Sequence, residues 1–332
     1  MMHVVYASDD KFAEILGVSL TSLYENNKGM NEIAIYVLDS GICDENKTKL
    51  ERTAQKYNRK PIQWVEAKNI SEELQMEVAM DRGSLSQYAR LFVSSTLPSD
   101  VERVLYLDCD IIIAGCLKEF FEMDLQEQTI GAMKDAFSKW YRMNIDLEPE
   151  DLMFNSGVML IDMKHWKEKK VEERLMKFIS KKKGNIQQGD QGALNAVLAH
   201  ETYCFDPKYN SVTNFNMFTY KELMDYRKPV KGYYSAAEVK NAVEHPMMIH
   251  FTTSFLTSRP WMEECDHPCT GEWLKYKAIS EWNGEKLWDA KQDGLILKIV
   301  KAMPRWAMLK VVGLAQVWGR PMINKIKGVR KK

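Results

Sequence analysis

The sequence has no cysteine spacing typical of a disulfide framework and no long apolar run, and each absence excludes a class of protein. Its 332 residues include only 6 cysteines, without the close spacing of a small disulfide framework, so a reducing compartment is predicted. No uncharged apolar run reaches about 18 residues, so no segment is predicted to span a membrane on its own. The N-terminal stretch lacks a basic leader and a long apolar core, and it is predicted to be a first strand rather than a signal peptide.

Charge is balanced overall but unevenly distributed along the chain. The sequence contains 46 Lys and Arg residues and 46 Asp and Glu residues. Residues 291–332 hold 11 of the basic residues and a single acid, Asp293, so residues 1–290 carry 35 basic and 45 acidic groups. An acidic body followed by a basic tail predicts that the tail meets an anionic surface.

In the first third of the chain, apolar strand patterns alternate with helical ones. Buried strands are predicted at 3–7, 33–38 and 62–65, and a fourth strand ends at Asp108. Helices are predicted between these strands, around residues 12–23, 50–57 and 88–92. Such alternation is typical of an α/β fold with a mainly parallel, Rossmann-like sheet and crossover helices.

The second half of the chain is less regular. Further strands are predicted at 129–133, 156–162 and 247–251. A charged helix is predicted at 165–182 and a short one at 190–199. The sequence shows no internal repeat, and its clear change in composition comes near residue 285.

The acid pair Asp108 and Asp110 directly follows the fourth predicted strand. Side chains two apart in an extended segment point to one side, and open α/β sheets bind ligands at the carboxyl ends of their strands. Two neighbouring carboxylates repel each other, which favours a bound cation, and a divalent cation could hold a diphosphate. A rival interpretation is a phosphatase of the haloacid dehalogenase type. That chemistry would place the pair near the first strand with Thr or Ser soon after, whereas residues 111–113 are all Ile.

His250 and Arg259 are further candidates for the same site. A lone His at a strand end usually packs, but two carboxylates and an imidazole form a mixed oxygen and nitrogen set that suits Mn²⁺ better than Mg²⁺. Arg259 precedes Pro260 and Trp261. A guanidinium held by this rigid pair could clasp a phosphate.

Two other stretches have a structural interpretation that is at least as good as the functional one. Residues 265–269, with two Cys around a His, could belong to a zinc site, but no second ligand pair has the required spacing, so a plain loop is favoured. Asp9 and Asp10 follow the first strand and could bind a ribose or base. Without further context, a cap on the following helix is favoured.

The stretch from Gly294 to Lys332 interleaves apolar and basic residues. Pro304 predicts a break into two helices, and Trp306 and Trp318 lie among the apolar residues. The pattern is typical of an interfacial amphipathic anchor with Trp at headgroup depth and basic side chains on anionic lipid. The alternative is a helix pair packed on the protein body. The charge excess and the two Trp residues favour the membrane surface.

Taken together, these residues resemble glycosyltransferase family 8, the retaining GT-A enzymes that include bacterial lipooligosaccharide galactosyl- and glucosyltransferases. The resemblance runs from Val4 to about Trp261. The segments that carry it, in this order and spacing, are residues 6–10, 87–91, 104–110, 154–161, 189–195 and 249–251.

The resemblance implies a binding site for a nucleotide and a metal. Asp9 would bind the uridine, and Arg90 would bind the sugar or the diphosphate of the donor. Asp108, Asp110 and His250 would hold Mn²⁺, with Mg²⁺ as the second candidate ion, against the two phosphates of a UDP-sugar.

The resemblance also implies a pocket for the transferred sugar. Asp135, Asn155, Asp190 and Gln191 would surround the sugar. The candidate catalytic residues are Asp190, Gln191 and Arg259, and all three would also bind the donor.

One segment departs from the family pattern. Many members carry His-x-x-Gly-x-x-Lys-Pro-Trp, whereas in this chain the loop from His250 to Arg259 is longer. Thr253 stands where Gly is usual, and Arg259 replaces Lys. Because Arg also donates to phosphate, the phosphate clamp is predicted to survive.

The expected organisation is a GT-A domain at 1–265, a connecting segment at 266–290 and a basic amphipathic tail at 291–332. The expected function is retaining transfer of a hexose from UDP-galactose or UDP-glucose to a glycan or lipid-linked acceptor in lipopolysaccharide or other cell-surface polysaccharide synthesis. The alternative is a non-catalytic sugar-nucleotide or glycan-binding protein on the same scaffold. The expected location is the cytoplasm, peripheral on the inner face of the membrane, and no nucleic-acid partner is expected.

Overall fold

A computed structural model of the chain describes residues 1–30, 32–79, 86–290 and 292–330, with only the backbone described for 327–330. Lys291, Lys331 and Lys332 of the predicted basic tail lie outside the described residues. The strands are β1 Met2–Ser8, β2 Ile33–Asp39, β3 Gln63–Glu66, β4 Arg103–Leu107, β5 Ile111–Ile113, β6 Ile130–Lys134, β7 Phe154–Asp162, β8 Thr202–Cys204, β9 Ser211–Val212 and β10 Met248–His250.

Helices connect and cover these strands. The α-helices are α1 Ala13–Asn26, α2 Asp44–Lys56, α3 Ile70–Glu73, α4 Val93–Thr96, α5 Lys118–Phe121, α6 Lys139–Arg142, α7 Met163–Glu168, α8 Val171–Lys181, α9 Gly189–Leu198, α10 Thr213–Met217, α11 Tyr220–Arg227, α12 Ala236–Glu244, α13 Thr270–Ile279, α14 Leu295–Lys301, α15 Arg305–Leu314 and α16 Arg320–Arg330. Short 3₁₀ turns span Asp10–Phe12, Ser86–Phe92, Met143–Ile145, Ala199–Glu201 and Pro207–Asn210, and a π-helical turn spans Ala315–Gly319.

The main sheet is mixed but mainly parallel, as predicted. Among the described residues it has seven strands in the order β3-β2-β1-β4-β7-β6-β8. Only β7 runs antiparallel to its neighbours β4 and β6. The near-continuous burial of β1, β2 and β4 follows from helices on both faces of the sheet, which is the usual condition of parallel strands.

A second, smaller sheet brings the site together, and the sequence did not predict it. It has the order β5-β10-β9, and β10 pairs antiparallel with β5, so that His250 lies opposite Ile111. The strand predicted at 247–251 therefore exists as β10, but it lies outside the main sheet. This pairing places His250 beside the end of β4 although the two are far apart in sequence.

The helix predicted at 165–182 is wrong in one respect, because the structure divides it into α7 and α8. Lys170 between them is in the left-handed conformation, with φ of 51°. A left-handed residue cannot continue a right-handed helix, so the chain turns there. The turn lets Trp166 and Leu175, both fully buried, pack into the core from two helices.

The segment at 266–290 packs on the first helix. Trp273 and Trp282 are each 1% exposed, and Lys277 of α13 forms a buried ion pair with Glu14 of α1. A Cβ atom at Gly17 would collide with the Trp282 ring, which shows how closely the segment approaches α1. Trp273 and Trp282 belong to the same hydrophobic core as the strands of the main sheet.

The tail breaks at Pro304, as predicted, because α14 ends at Lys301 and α15 begins after Pro304. One face of the tail packs on the body: Met308, Leu309 and Val317 are buried. The other face carries exposed apolar side chains, which are Leu295, Ile296, Ile299, Met303, Trp306, Val311, Leu314, Trp318, Met322, Ile323 and Ile326. None of the described helices is both long and apolar enough to cross a membrane.

Candidate functional site

Asp108, Asp110 and His250 meet at the carboxyl end of β4. One ligand atom from each lies within 4.8 Å of the others. His250 Nε2 is 3.2 Å from Asp110 Oδ1 and 3.8 Å from Asp108 Oδ2. The structure therefore brings together the three residues that the sequence proposed as metal ligands.

Backbone hydrogen bonds fix the two acids on one side of the chain. The Asp108 N–H donates to the Gly157 carbonyl of β7 at 2.8 Å, and the Phe251 N–H donates to the Asp110 carbonyl at 2.9 Å. Cys109 points the opposite way, and its thiol donates to the Ala7 carbonyl at 3.3 Å. Burial raises the pKa of the Cys109 thiol, which favours its neutral form.

A buried amide orients the imidazole. His250 Nδ1 lies 2.9 Å from Asn210 Oδ1, which accepts a hydrogen bond and leaves Nε2 facing the carboxylates. The Asn210 amide group donates in turn to Asn155 Oδ1 at 2.9 Å. Such partners fix the tautomer and ring orientation of metal-ligating histidines. Sequence reasoning missed Asn210, because no local pattern links it to a strand end 40 residues further on.

Arg259, at the end of the longer loop, contacts the carboxylate of Asp110. Its guanidinium pairs with Asp110, donates to the Phe251 carbonyl and donates to Thr253 Oγ1 at 2.8 Å. Burial by itself would raise the pKa of Asp110, but the charges and hydrogen bonds of His250 and Arg259 hold that pKa well below its usual value. The longer loop and the change from Lys to Arg259 therefore still leave a positively charged side chain in the site.

The donor set and the space around it fit a divalent ion. The two carboxylates are hard ligands and the imidazole is a ligand of intermediate softness. Such a set matches Mn²⁺ and, less well, Mg²⁺. Gly157 leaves room beside them, because a Cβ atom there would lie 2.3 Å from His250 Cε1 and 2.8 Å from Asp108 Oδ2. Asp108, Asp110 and His250 are the residues that would hold the ion.

This packing yields a prediction for Gly157→Ala. The added methyl group must displace His250 or Asp108, so Mn²⁺ affinity should fall roughly 10-fold or more although every ligand remains. The measurement is Mn²⁺ titration by isothermal calorimetry. Gly131→Ala serves as the control, because that strand glycine faces a flexible Leu125 methyl group and no ligand. Equal Mn²⁺ affinity in the Gly157 variant and the wild type would contradict the geometry.

Arg90 connects the acid pair to the next group of residues. It is 6% exposed and forms ion pairs with Asp108 at 2.7 Å and Asp190 at 3.0 Å. Although burial opposes its charge, the two carboxylates raise its pKa. Its guanidinium also lies 4.4 Å from the centre of the Tyr106 ring, and the Tyr106 hydroxyl is 3.3 Å from Asp108 Oδ1. Tyr106 was not predicted as a site residue, because it reads as one more apolar residue of β4.

Asp135, Asn155 and Gln191 form a polar cluster beyond Arg90. Gln191 Nε2 donates to Asp135 Oδ2 at 3.3 Å, and Gln191 Oε1 accepts from the Ser156 N–H at 3.3 Å. Asn155 Nδ2 donates to the same Asp135 oxygen at 3.4 Å. The register of the β6–β7 pairing shifts between Ala132 and Met133, just before Asp135, so that Met133 lies opposite Asn155. The four predicted sugar residues thus lie together, since Asp190 is held by Arg90.

Two other sequence candidates have local roles. Asp9 caps the 3₁₀ turn after β1, accepting from the Phe12 N–H at 3.2 Å, at the same sheet edge as Asp108. His267 is buried, which lowers its pKa to about 4, and its Nδ1 accepts from the Cys269 N–H at 3.1 Å. Cys265 and Cys269 are unpaired thiols in this loop.

The comparisons with known proteins agree with this fold. The family model described as "Glycosyl transferase family 8" matches residues 3–265. General stress protein A of Bacillus subtilis is 27% identical over 286 residues, which cover 85% of this chain and 95% of that protein. Lipopolysaccharide 1,2-glucosyltransferase of Escherichia coli is 26% identical over 298 residues, covering 87% of this chain and 81% of the relative.

Solved structures support the same architecture. The galactosyltransferase LgtC, crystallised with donor and acceptor sugar analogs, superposes with a TM-score of 0.69 at 21% identity, covering 84% of this chain and 96% of LgtC. The glycosyltransferase GlyE of Streptococcus pneumoniae superposes with a TM-score of 0.59 at 22% identity, covering 85% of this chain and 62% of GlyE. The fold is therefore the GT-A fold of glycosyltransferases.

The match of the family model over most of the chain defines the protein further. The chain belongs to glycosyl transferase family 8. The sequence-based identification of the family and of the fold class is confirmed.

Proposed function

We propose that the protein transfers a hexose, with retention, from a UDP-sugar to a glycan or lipid-linked acceptor, and that Mn²⁺ is its metal. The observation that supports this most is the meeting of Asp108, Asp110 and His250 within 4.8 Å, with Arg90 and Arg259 at their side. Two carboxylates and an imidazole beside two guanidiniums suit a metal-bound diphosphate. UDP-galactose and UDP-glucose are the favoured donors, by analogy with the galactosyl- and glucosyltransferases among the relatives.

The leaving diphosphate is the group that this site has to stabilise. Cleavage of a sugar–phosphate bond builds negative charge on the diphosphate, and a bound divalent ion supplies charge at that point. Arg259 lies partly exposed at the rim of the cluster, with a side chain 17% accessible, and its fork of donors can bind phosphate oxygens. In this proposal, Asp9 at the same sheet edge binds the uridine.

The residues around the sugar favour attack from the same face as the leaving group. Asp190 forms an ion pair with Arg90, which makes its carboxylate a poor nucleophile. Gln191 is an amide, which is a weaker nucleophile still, and its side chain is already bonded to Asp135 and Ser156. In this proposal, Asp190 and Gln191 orient the sugar and stabilise its developing positive charge, while the diphosphate takes the proton of the acceptor.

The test is a panel of UDP-sugars incubated with the full chain, with and without Mn²⁺, with UDP release as the readout. We expect metal-dependent release from UDP-galactose or UDP-glucose. Absence of release from every donor at high protein concentration, together with tight Mn²⁺–UDP binding, would favour the non-catalytic binding protein instead. Absence of both would refute the site itself.

We further propose that the tail places the site at an anionic membrane surface on the cytoplasmic side, where lipid-linked acceptors are presented. The outer face of the tail leaves Ile296 80% exposed and Trp306 67% exposed, and basic side chains lie between such residues. Because the inner face stays packed on the body, the tail would lie flat between the protein and the lipid.

The outer face of the tail can be tested with vesicles. The double variant Ile296→Ala and Trp306→Ala should bind vesicles of phosphatidylglycerol and phosphatidylcholine at least about 10-fold more weakly, because two apolar side chains leave the interface. Leu274→Ala in α13 is the control, since that residue is an exposed apolar side chain outside the tail. If wild type and double variant sediment equally with the vesicles, the anchor proposal is wrong.

A further inference from the structure

The tail makes specific polar contacts with the segment that follows Asp135. Ser138 Oγ donates to the Val317 carbonyl at 3.1 Å. The Tyr141 hydroxyl donates to the Gln316 carbonyl at 3.1 Å and accepts from Gln316 Nε2 at 2.7 Å. Both carbonyls belong to the π-helical turn, where widened helical geometry disturbs the regular hydrogen-bond ladder. The contact is therefore made by matched polar groups as well as by apolar packing.

Asn144 extends this contact toward the sugar pocket. Its Nδ2 donates to the Pro321 carbonyl of α16 at 2.8 Å and also to Gln187 Oε1. Gln187 is only 7% exposed, and its Nε2 has no hydrogen-bond partner in the part of the chain that the structure describes. Asn144 is thus the side chain that holds the Gln187 amide in place from the tail side.

Gln187 leads directly into the turn that presents Asp190 and Gln191. Gln188 and Gly189 are both left-handed, with φ of 68° and 56°. A left-handed conformation at a residue other than glycine costs free energy and persists only where neighbouring contacts enforce it. The Gln187 carbonyl also packs against Gly192, where an added Cβ atom would lie 2.0 Å away. The strained turn is therefore braced at Gln187.

We propose that the tail positions the catalytic turn: Asn144, seated on the Pro321 carbonyl, holds Gln187 and so fixes Asp190 and Gln191 against the transferred sugar. The tail would then support the sugar pocket in addition to binding lipid. This inference rests on the proposed function for its kinetic consequence, but its structural consequence can be measured without turnover.

The test uses Asn144→Ala in the full chain, without vesicles. Loss of the bridge should lower kcat for UDP release roughly 10-fold to 100-fold, since small misplacements of positioning groups have effects of that size. The KM for the UDP-sugar and the Kd for Mn²⁺–UDP should stay within about twofold, because the diphosphate end is untouched. Hydrogen exchange of the backbone amides in residues 186–192 should become faster.

Asn27→Ala is the matched control. Asn27 is also a buried amide that joins backbone groups, donating to the Leu23 carbonyl at 2.9 Å and accepting from the Leu117 N–H at 2.8 Å, but it lies outside the site. This variant should lower the Tm and leave both kcat and exchange in 186–192 unchanged. A similar fall of kcat in both variants, or unchanged exchange at 186–192 in Asn144→Ala, would overturn the inference. If the wild-type chain releases no UDP, the proposed function fails, and hydrogen exchange alone decides whether the tail positions the turn.

Discussion

Asp110→Asn should lower metal-dependent UDP release by at least about 100-fold, because loss of one carboxylate ligand weakens the hold on the ion that would stabilise the charge of the leaving diphosphate. Asp110 is 9% exposed and faces His250 Nε2 and Arg259 at once. The amide keeps the size of the side chain but removes its negative charge, so it weakens the metal site with little change in packing. The measurement is the rate of UDP release at saturating donor and at a fixed Mn²⁺ concentration that just saturates the wild type.

Asp100→Asn controls for the loss of one acidic group, because Asp100 is exposed and lies outside the site. It should keep the wild-type rate. A non-catalytic binding protein has no metal-dependent turnover for Asp110→Asn to lose. If the wild type turns over and Asp110→Asn matches it, the carboxylate has no part in the reaction and the proposed site is wrong.

Arg259→Ala should lower kcat/KM for the UDP-sugar roughly 100-fold, because a guanidinium beside the diphosphate disappears. Arg259→Lys should recover part of the loss, since Lys supplies a point charge without the bidentate fork. Mn²⁺ affinity should stay the same or increase in Arg259→Ala, because Arg259 pairs with Asp110 and so competes with the ion for that carboxylate.

The combination of these readouts separates a phosphate clamp from a structural support. Weak UDP binding together with intact Mn²⁺ binding indicates the clamp. Loss of Mn²⁺ binding with unchanged UDP affinity would contradict it, and would show that Arg259 serves only to hold Asp110 in place.

The sequence predicted the main sheet well, because its strands are long and apolar enough to show a pattern. β1, β2 and β4 appear within a residue or two of the predicted bounds. The small sheet could not be predicted, since β5, β9 and β10 have only 3, 2 and 3 residues, and pairing between distant segments leaves no periodic trace. The break at Lys170 was missed for a related reason: nothing in Lys-Lys-Val signals a left-handed residue.

Some residues of the site could also be predicted from the sequence, and others could not. Asp108 and Asp110 could be recognised from their spacing after a strand, and the structure places them together with His250. His250 became a candidate ligand only once the acid pair offered it partners, because it comes from another strand. Asn210 and Tyr106 were missed because they act on other site residues, and such support depends on tertiary contacts that local patterns do not record.

For the tail, the sequence predicted the helices but not what each of their faces contacts. Its alternation of apolar and basic residues left two readings, an anchor or a packed helix pair, and the structure shows one face buried and the other exposed. An amphipathic pattern predicts that a helix has an apolar and a polar face, but it does not predict which surface packs against each face. The contacts of Ser138, Tyr141 and Asn144 with tail carbonyls could not be predicted, since a backbone carbonyl carries no sequence signal.

The metal site is the central claim, and electron paramagnetic resonance of Mn²⁺ titrated into the protein with UDP tests it most directly. The signal of free Mn²⁺ should fall until one ion is bound per chain in the wild type. In Asp110→Asn and His250→Ala the free signal should persist at the same protein concentration. Binding of Mn²⁺ that is equally strong in the wild type and both variants, or absent from the wild type, would contradict the site described by Asp108, Asp110 and His250.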